Sequence, residues 1–290
     1  MIGVFDSGHG GLTILRALHE RLPRQAFLYL GDHAHAPYGQ KPAAEITELT
    51  RRGVDALFAR GCRLVILACN TASAVALREL QQGWLPVQHP GRRVLGVLVP
   101  LVEAIARNPW HASAGAAEAA RAPETVGIFA TPASVASLSY VRETAKRAPQ
   151  VRILQRACPE LAALIEDGAA DAAILPAVEA HVAALLAELQ GAVLDSAVLG
   201  CTHYPLIEHL FRRALPPDTR IVSQPARVAE ALVAYLFRHP EMKSFAAEAP
   251  VLQGLTTGDP ARVSALATRF LGRHLGFERL DSDREDRRHA

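Results

Sequence analysis

The sequence predicts an α/β protein with mainly parallel central sheets, arranged as two similar halves that face each other across a cleft. Three observations carry this. Short apolar runs alternate with segments of helical period, the pattern of repeated strand–helix–strand units. Half of the residues are apolar while only 6% are aromatic, a balance that suits helices packed on a hydrophobic parallel sheet. A weak internal repeat runs through the chain: GVFDSG near the start is echoed by GIFATP from Gly127, and LACNT by LGCTH, in the same order.

Taken in order, the candidate strands are residues 2–5, 27–30, 64–68, 94–98, 126–130, 151–154, 197–199 and 220–222, each a short run of Val, Ile, Leu, Phe or Ala. The first runs straight into a glycine loop. Between the strands lie helical stripes at Leu12, Leu15, Leu18 and Leu22, at Ile46, Leu49 and Leu57, and at Val178, Val182, Leu185 and Leu189, all of them core faces. A break is expected around residues 108–124, an Ala-rich stretch bounded by prolines. Residues 281–290 read as a charged, frayed tail.

At 290 residues the chain can bury a core large enough to keep a cleft dry. Its 31 basic and 29 acidic residues give a net charge of +2 with no basic stripe, so nothing points to nucleic acid or an anionic membrane, and a small ligand is expected instead. MIGVFDSG is no leader peptide, and no run reaches the roughly 18 apolar residues of a membrane span, so a cytoplasmic protein is expected. The four cysteines, 62, 69, 158 and 201, form no CxxC pair, which excludes a zinc ribbon or a thioredoxin-type motif and predicts free thiols.

The chemistry gathers where two strands end. LVILACNTAS and AVLGCTHYPL each place a cysteine after a buried strand and before polar residues at a predicted helix start, where N–H groups and the helix dipole stabilise a thiolate. Cys62 and Cys158 lack that setting and read as small buried hydrophobes. One thiol from each half suggests an acid and a base on opposite faces of a carbon, hence inversion of configuration. A thiol pKa of about 8.5, lowered at a helix start, lets one partner be thiolate while the other is thiol. A carbanion beside a carboxylate needs hydrogen-bond donors, for which Ser7, Asn70, Thr71 and Thr202 are suitably typed. Asp6 could hold a thiol or receive a substrate ammonium, and equally could cap a turn. His203 could assist Cys201. Gly8, Gly10 and Gly11 allow a tight loop but do not spell GxGxxG. In GDHAHAPYGQ, Asp32, His33 and His35 share one short segment, but HxH alone is unspecific and no third ligand group is evident, so no metal is expected, and Pro37, Tyr38 and Gly39 read as a rigid turn lining the cleft.

FDSGxGG, PYG, ACNTAS, ATPxS and LGCTHYPL together resemble the glutamate racemase group of the aspartate/glutamate racemase superfamily, over residues 2 to about 280. The resemblance implies cofactor-independent interconversion of L- and D-glutamate for peptidoglycan, with glutamate as substrate, on two pseudosymmetric α/β domains and commonly as a homodimer. It implies that Cys69 and Cys201 are the acid/base thiols, that Asp6, His203 and Glu166 assist them, and that Ser7, Tyr38, Gly39, Asn70, Thr71, Thr131, Ser134 and Thr202 contact substrate. It also assigns residues 1–98 and 206–280 to the first domain and 99–205 to the second. His33, His35 and the SQP turn after Ile221 depart from the family pattern.

The alternatives are racemisation of aspartate or another amino acid on the same scaffold, a hydrolase using Cys201 and His203, or a non-enzymatic scaffold or binding protein that keeps the cleft. Residues so close together on a strand or helix start seldom face each other, which weighs against the second.

Overall fold

The computed structural model describes residues 1–106, 124–243 and 252–280. The break expected at 108–124 falls almost wholly outside these residues, and the tail at 281–290 falls entirely outside them.

Among the described residues ten strands form two sheets. They are β1 (Ile2–Asp6), β2 (Phe27–Gly31), β3 (Leu64–Leu67), β4 (Arg93–Gly96), β5 (Thr125–Ala130), β6 (Arg152–Ala157), β7 (Ser196–Gly200), β8 (Arg220–Val222), β9 (Leu252–Thr256) and β10 (Phe277–Arg279). The first sheet has the order β10-β9-β2-β1-β3-β4 and the second β6-β5-β7-β8, with every pairing parallel. The internal repeat is visible in this topology. β1 lies between β2 and β3 as β5 lies between β6 and β7, with β4 and β8 outermost.

Strands β1, β2, β3 and β7 are buried at every position, which is why they read as unbroken apolar runs rather than alternating ones. Helix Gly11–Arg21 buries Leu12, Leu15 and Leu18 completely, and each contributes about 1.5–3 kcal/mol by leaving water. The other stripes behave alike: Ile46, Leu49 and Leu57 are buried from helix Ala43–Ala59, and Val178, Val182 and Leu185 from helix Asp171–Ala187.

β9 and β10 were not evident in the sequence. They are short, and β9 carries Gly254 and a polar Gln253. The strand expected at 151–154 extends to Ala157 because the whole of β6 pairs with β5. The boundary expected after residue 205 falls inside the chain of the second sheet, since Arg220–Val222 pairs with Ser196–Val198. The chain rejoins the first sheet at β9, against β2.

All strands of a parallel sheet point their carboxyl ends the same way, and in open α/β sheets ligands bind beyond those ends. Here the loops after β1, β2 and β3 meet the loops after β5 and β7. Gly39 shows how closely. A Cβ there would lie 2.8 Å from the Cβ of Thr131, so only glycine allows this approach between the halves.

Candidate active site

Ten of the residues singled out from the sequence, Ser7, Tyr38, Gly39, Cys69, Asn70, Thr71, Thr131, Cys201, Thr202 and His203, line one cavity of about 60 Å³ between the two sheets. At ~10–15 Å³ each, that is room for about four to six waters. Wider clefts of about 460 and 350 Å³ lie elsewhere, but no cysteine or histidine lines them. Chemistry rather than size locates the site.

Cys69 follows β3 and is the N-cap of helix Asn70–Val75, its Sγ accepting from the Ala72 N–H at 3.4 Å. The Ser7 hydroxyl lies 3.5 Å from the same sulfur. The helix start does not lower this thiol as expected. Burial and the neighbouring Asp6 carboxyl push it up to about 12 against the opposing Ser7 and Ala72 contacts. Asp6 lies behind the cavity, fully buried, with Oδ1 accepting from Gly8 N–H at 2.8 Å and Oδ2 facing the Thr202 hydroxyl at 3.5 Å. Burial raises its pKa, with His203 and the loop N–H groups opposing.

Cys201 has a different environment. It follows β7, and the chain then turns back on itself, Tyr204 N–H donating to the Cys201 carbonyl at 3.1 Å. The turn brings His203 Nδ1 to 3.7 Å from Cys201 Sγ, so the two residues do face each other, contrary to expectation. His203 Nε2 meets Glu166 Oε2 at 2.6 Å. Burial alone would lower the His203 pKa, but the bonds to Cys201 and Glu166 outweigh it and raise it well above the usual histidine value. Burial would likewise raise Glu166, yet its bonds to His203 and His9 hold it well below the carboxylate range. Sulfur, imidazole and carboxylate form one hydrogen-bonded arm that favours the imidazolium form of His203 beside the sulfur.

The remaining groups tie the halves together. Thr71 and Thr131 hydroxyls meet at 2.9 Å, and Ser134 sits behind them, bonded to Thr131 at 2.9 Å. The Asn70 side-chain amide is committed to the second half, donating to Tyr140 at 2.8 Å and accepting from Gln224 at 2.8 Å. Asp32 accepts from Tyr38 at 2.5 Å and Thr257 at 2.7 Å and bonds His35 at 2.8 Å, so it braces the turn that carries Tyr38 and Gly39. Among the described residues no cluster of three or more His, Cys, Asp or Glu is arranged to hold a metal. No helix among them is long and apolar enough to cross a membrane.

Sequence reasoning missed Tyr140, Gln224 and His9, and considered Asp32 only as a metal ligand. His9 carried a signal, an imidazole inside the glycine loop that follows the first strand. Tyr140 and Gln224 carried none, since only the fold brings them to Asn70.

No family model matches the chain. It is 46% identical to the glutamate racemase of Phenylobacterium zucineum over 282 residues, covering 96% of this chain and 99% of that one. The crystal structure of a Bacillus anthracis glutamate racemase superposes with a TM-score of 0.82 at 27% identity, covering 97% of each chain. That of the Francisella tularensis glutamate racemase, solved with D-glutamate, gives 0.81 at 27% identity, covering 97% and 98%. With that identity sustained from end to end, and both thiols meeting in one cleft, the chain belongs to the glutamate racemase family of isomerases.

Proposed function

We propose that this glutamate racemase inverts its substrate with two thiols, Cys69 and Cys201, acting on opposite faces of Cα. The observation that carries the reading is their convergence on one cavity, each from the strand of its own half that lies beside the central one. In one direction the Cys201 thiolate takes the Cα proton and becomes a thiol, the C–H electron pair passing into the carbanion. The Cys69 thiol then gives its proton to the opposite face and becomes thiolate. The enzyme is left in the protonation state that the other enantiomer requires. Both acid and base come from the chain, so the proposed reaction calls on no cofactor.

The electrostatics suit these roles. Cys201 has a cation partner in His203, and Cys69, pushed up by burial, rests as the protonated partner. A substrate ammonium entering the cleft opposes that burial and makes the Cys69 thiolate accessible for the reverse direction. The carbanion gains from donors facing the substrate carboxylate. Candidates are the Ser7, Thr71 and Thr202 hydroxyls and the N–H groups at the start of helix Asn70–Val75. Tyr38, Gly39 and Thr131 close the side of the cavity, while Asp6, Glu166 and Ser134 act from behind it. Glutamate as substrate is supported by the curated relatives and by the D-glutamate in the Francisella structure. The same family reading carries a homodimer working in the cytoplasm, the first part of which light scattering on the purified protein would test.

The deciding experiment incubates the protein with L-glutamate, and separately L-aspartate, in heavy water without pyridoxal phosphate or metal. Deuterium at Cα accompanied by D-glutamate is expected. Cys69→Ser and Cys201→Ser should each abolish inversion while Cys62→Ser does not. Equal tolerance of all three would remove the mechanism, and full inversion by Cys69→Ser alone would show that the Cys201–His203 arm works without a second thiol.

A further inference from the structure

His9 sits in the loop after β1 and is only 3% exposed. Its Nδ1 meets Glu166 Oε1, and its Nε2 lies 3.2 Å from the Val263 carbonyl oxygen. Both partners are acceptors, so the two hydrogen bonds form together only when the ring carries both protons. The surroundings suit a cation. The ring stacks on Phe270, with centroids 5.5 Å apart and planes at 23°, and meets the His33 ring edge-on at 4.3 Å. Burial and His9 itself push His33 down to about 4, so it is an uncharged neighbour at neutral pH.

The Glu166 carboxylate is thus shared, Oε1 with His9 and Oε2 with His203. The geometry points to His9 as a positioning residue for the reaction at Cys201: it fixes the Glu166 carboxylate against His203 and, as an imidazolium, offsets part of the charge beside the His203–Cys201 couple. This rests on the two-thiol reading above. The other groups facing the cluster are Asp6 from β1, His33 from the turn after β2, and Thr202 and Cys201 after β7. Tyr29 donates to the Gly8 carbonyl at 2.7 Å. From helix Pro260–Leu271 come Phe270 and the Val263 carbonyl, and Arg269 on that helix donates to the Ile165 carbonyl.

The test measures kcat/KM against pH by circular dichroism for the full-length wild type, His9→Leu and His9→Asn, with Cys201→Ser alongside. His9→Leu should lower kcat/KM about tenfold or more, a fraction of what general acid–base groups contribute. Removing a positive charge should also move both limbs of the pH profile to higher pH by about half a unit or more. Asparagine restores a neutral donor near the Nδ1 position, so His9→Asn should recover much of the rate while keeping the displaced limbs. Limbs that stay in place in both variants overturn the inference, because a packing role changes the rate without moving them. If His9→Leu does not fold, the limbs of His9→Asn decide. If Cys201→Ser keeps the wild-type kcat/KM, it is the two-thiol reading that fails.

Discussion

Replacing Gly10 by alanine tests whether the contact between the two halves governs the chemistry. Gly10 has φ −53° and ψ −40°, an ordinary helical conformation that alanine adopts without strain. The added methyl would lie 2.3 Å from Thr202 Oγ1 and 2.5 Å from His203 Nδ1, whereas ordinary contact starts at 3.4 Å. The loop after β7 must therefore retreat by about 1 Å, taking His203 away from its 3.7 Å contact with Cys201 or its 2.6 Å bond to Glu166. A misplacement of about 1 Å near the reacting groups costs on the order of 100-fold, or about 2.7 kcal/mol in the barrier. Initial rates followed by circular dichroism from either enantiomer should show that loss in kcat/KM. Gly83→Ala, where a Cβ meets nothing within 4 Å, is the control and should keep its rate. A Gly10→Ala enzyme as fast as wild type would show that the approach of these loops does not position His203.

Glu166→Gln removes the charge that His203 and His9 share, and should reduce kcat by about 10²–10⁴-fold while leaving the thermal midpoint within a few degrees. His33 gives a stability prediction with a definite sign. Burial lowers its pKa from 6.5 to about 4, so on acidification the unfolded chain takes up the proton first. That contribution is whole above pH 6.5 and is lost as pH falls toward 4, by about 3 kcal/mol at most, and urea midpoints across this window should show a shallower slope in His33→Asn. Gln224 is fully buried and donates to Asn70 Oδ1 and, at 3.0 Å, to the Leu199 carbonyl, so Gln224→Leu leaves acceptors from both halves unsatisfied. It should destabilise by about 1–3 kcal/mol in urea titration and raise KM as the halves lose register.

What was legible in the sequence was local. A buried parallel strand writes itself as a run such as FLYLG or LVIL, and the residues just after it stand at the ligand end of the sheet, so the sequence alone sets Cys69 and Cys201 there. β10 has three residues, two of them exposed and charged, and so looks like a surface segment until its pairing with β9 is seen. The raised pKa of Cys69 escapes the sequence for a related reason. The helix start is a property of ACNTA, but the burial and the Asp6 carboxyl that outweigh it arrive from β1. The facing of His203 on Cys201 depends on a turn whose closure, Tyr204 N–H to the Cys201 carbonyl, cannot be read from residue types.

The duplicated sheets place the thiols alike, yet the proposed two-thiol inversion needs them unalike. Two thiolates in one small cavity would repel, and two thiols would offer no base, so that mechanism asks for one proton unequally shared at rest. The backbone supplies the equivalence: β3 stands to β1 as β7 stands to β5. The residues after each cysteine break it. Asn70 and Thr71 open a helix and leave Cys69 buried beside Asp6, where it holds its proton. Thr202 and His203 instead fold back, setting an imidazole against Cys201 and a carboxylate behind that imidazole. Writing CNT in place of CTH in the second half would then keep both thiols and both sheets while removing the imidazole that makes the sharing unequal. Such a chain should fold, bind glutamate and invert it poorly.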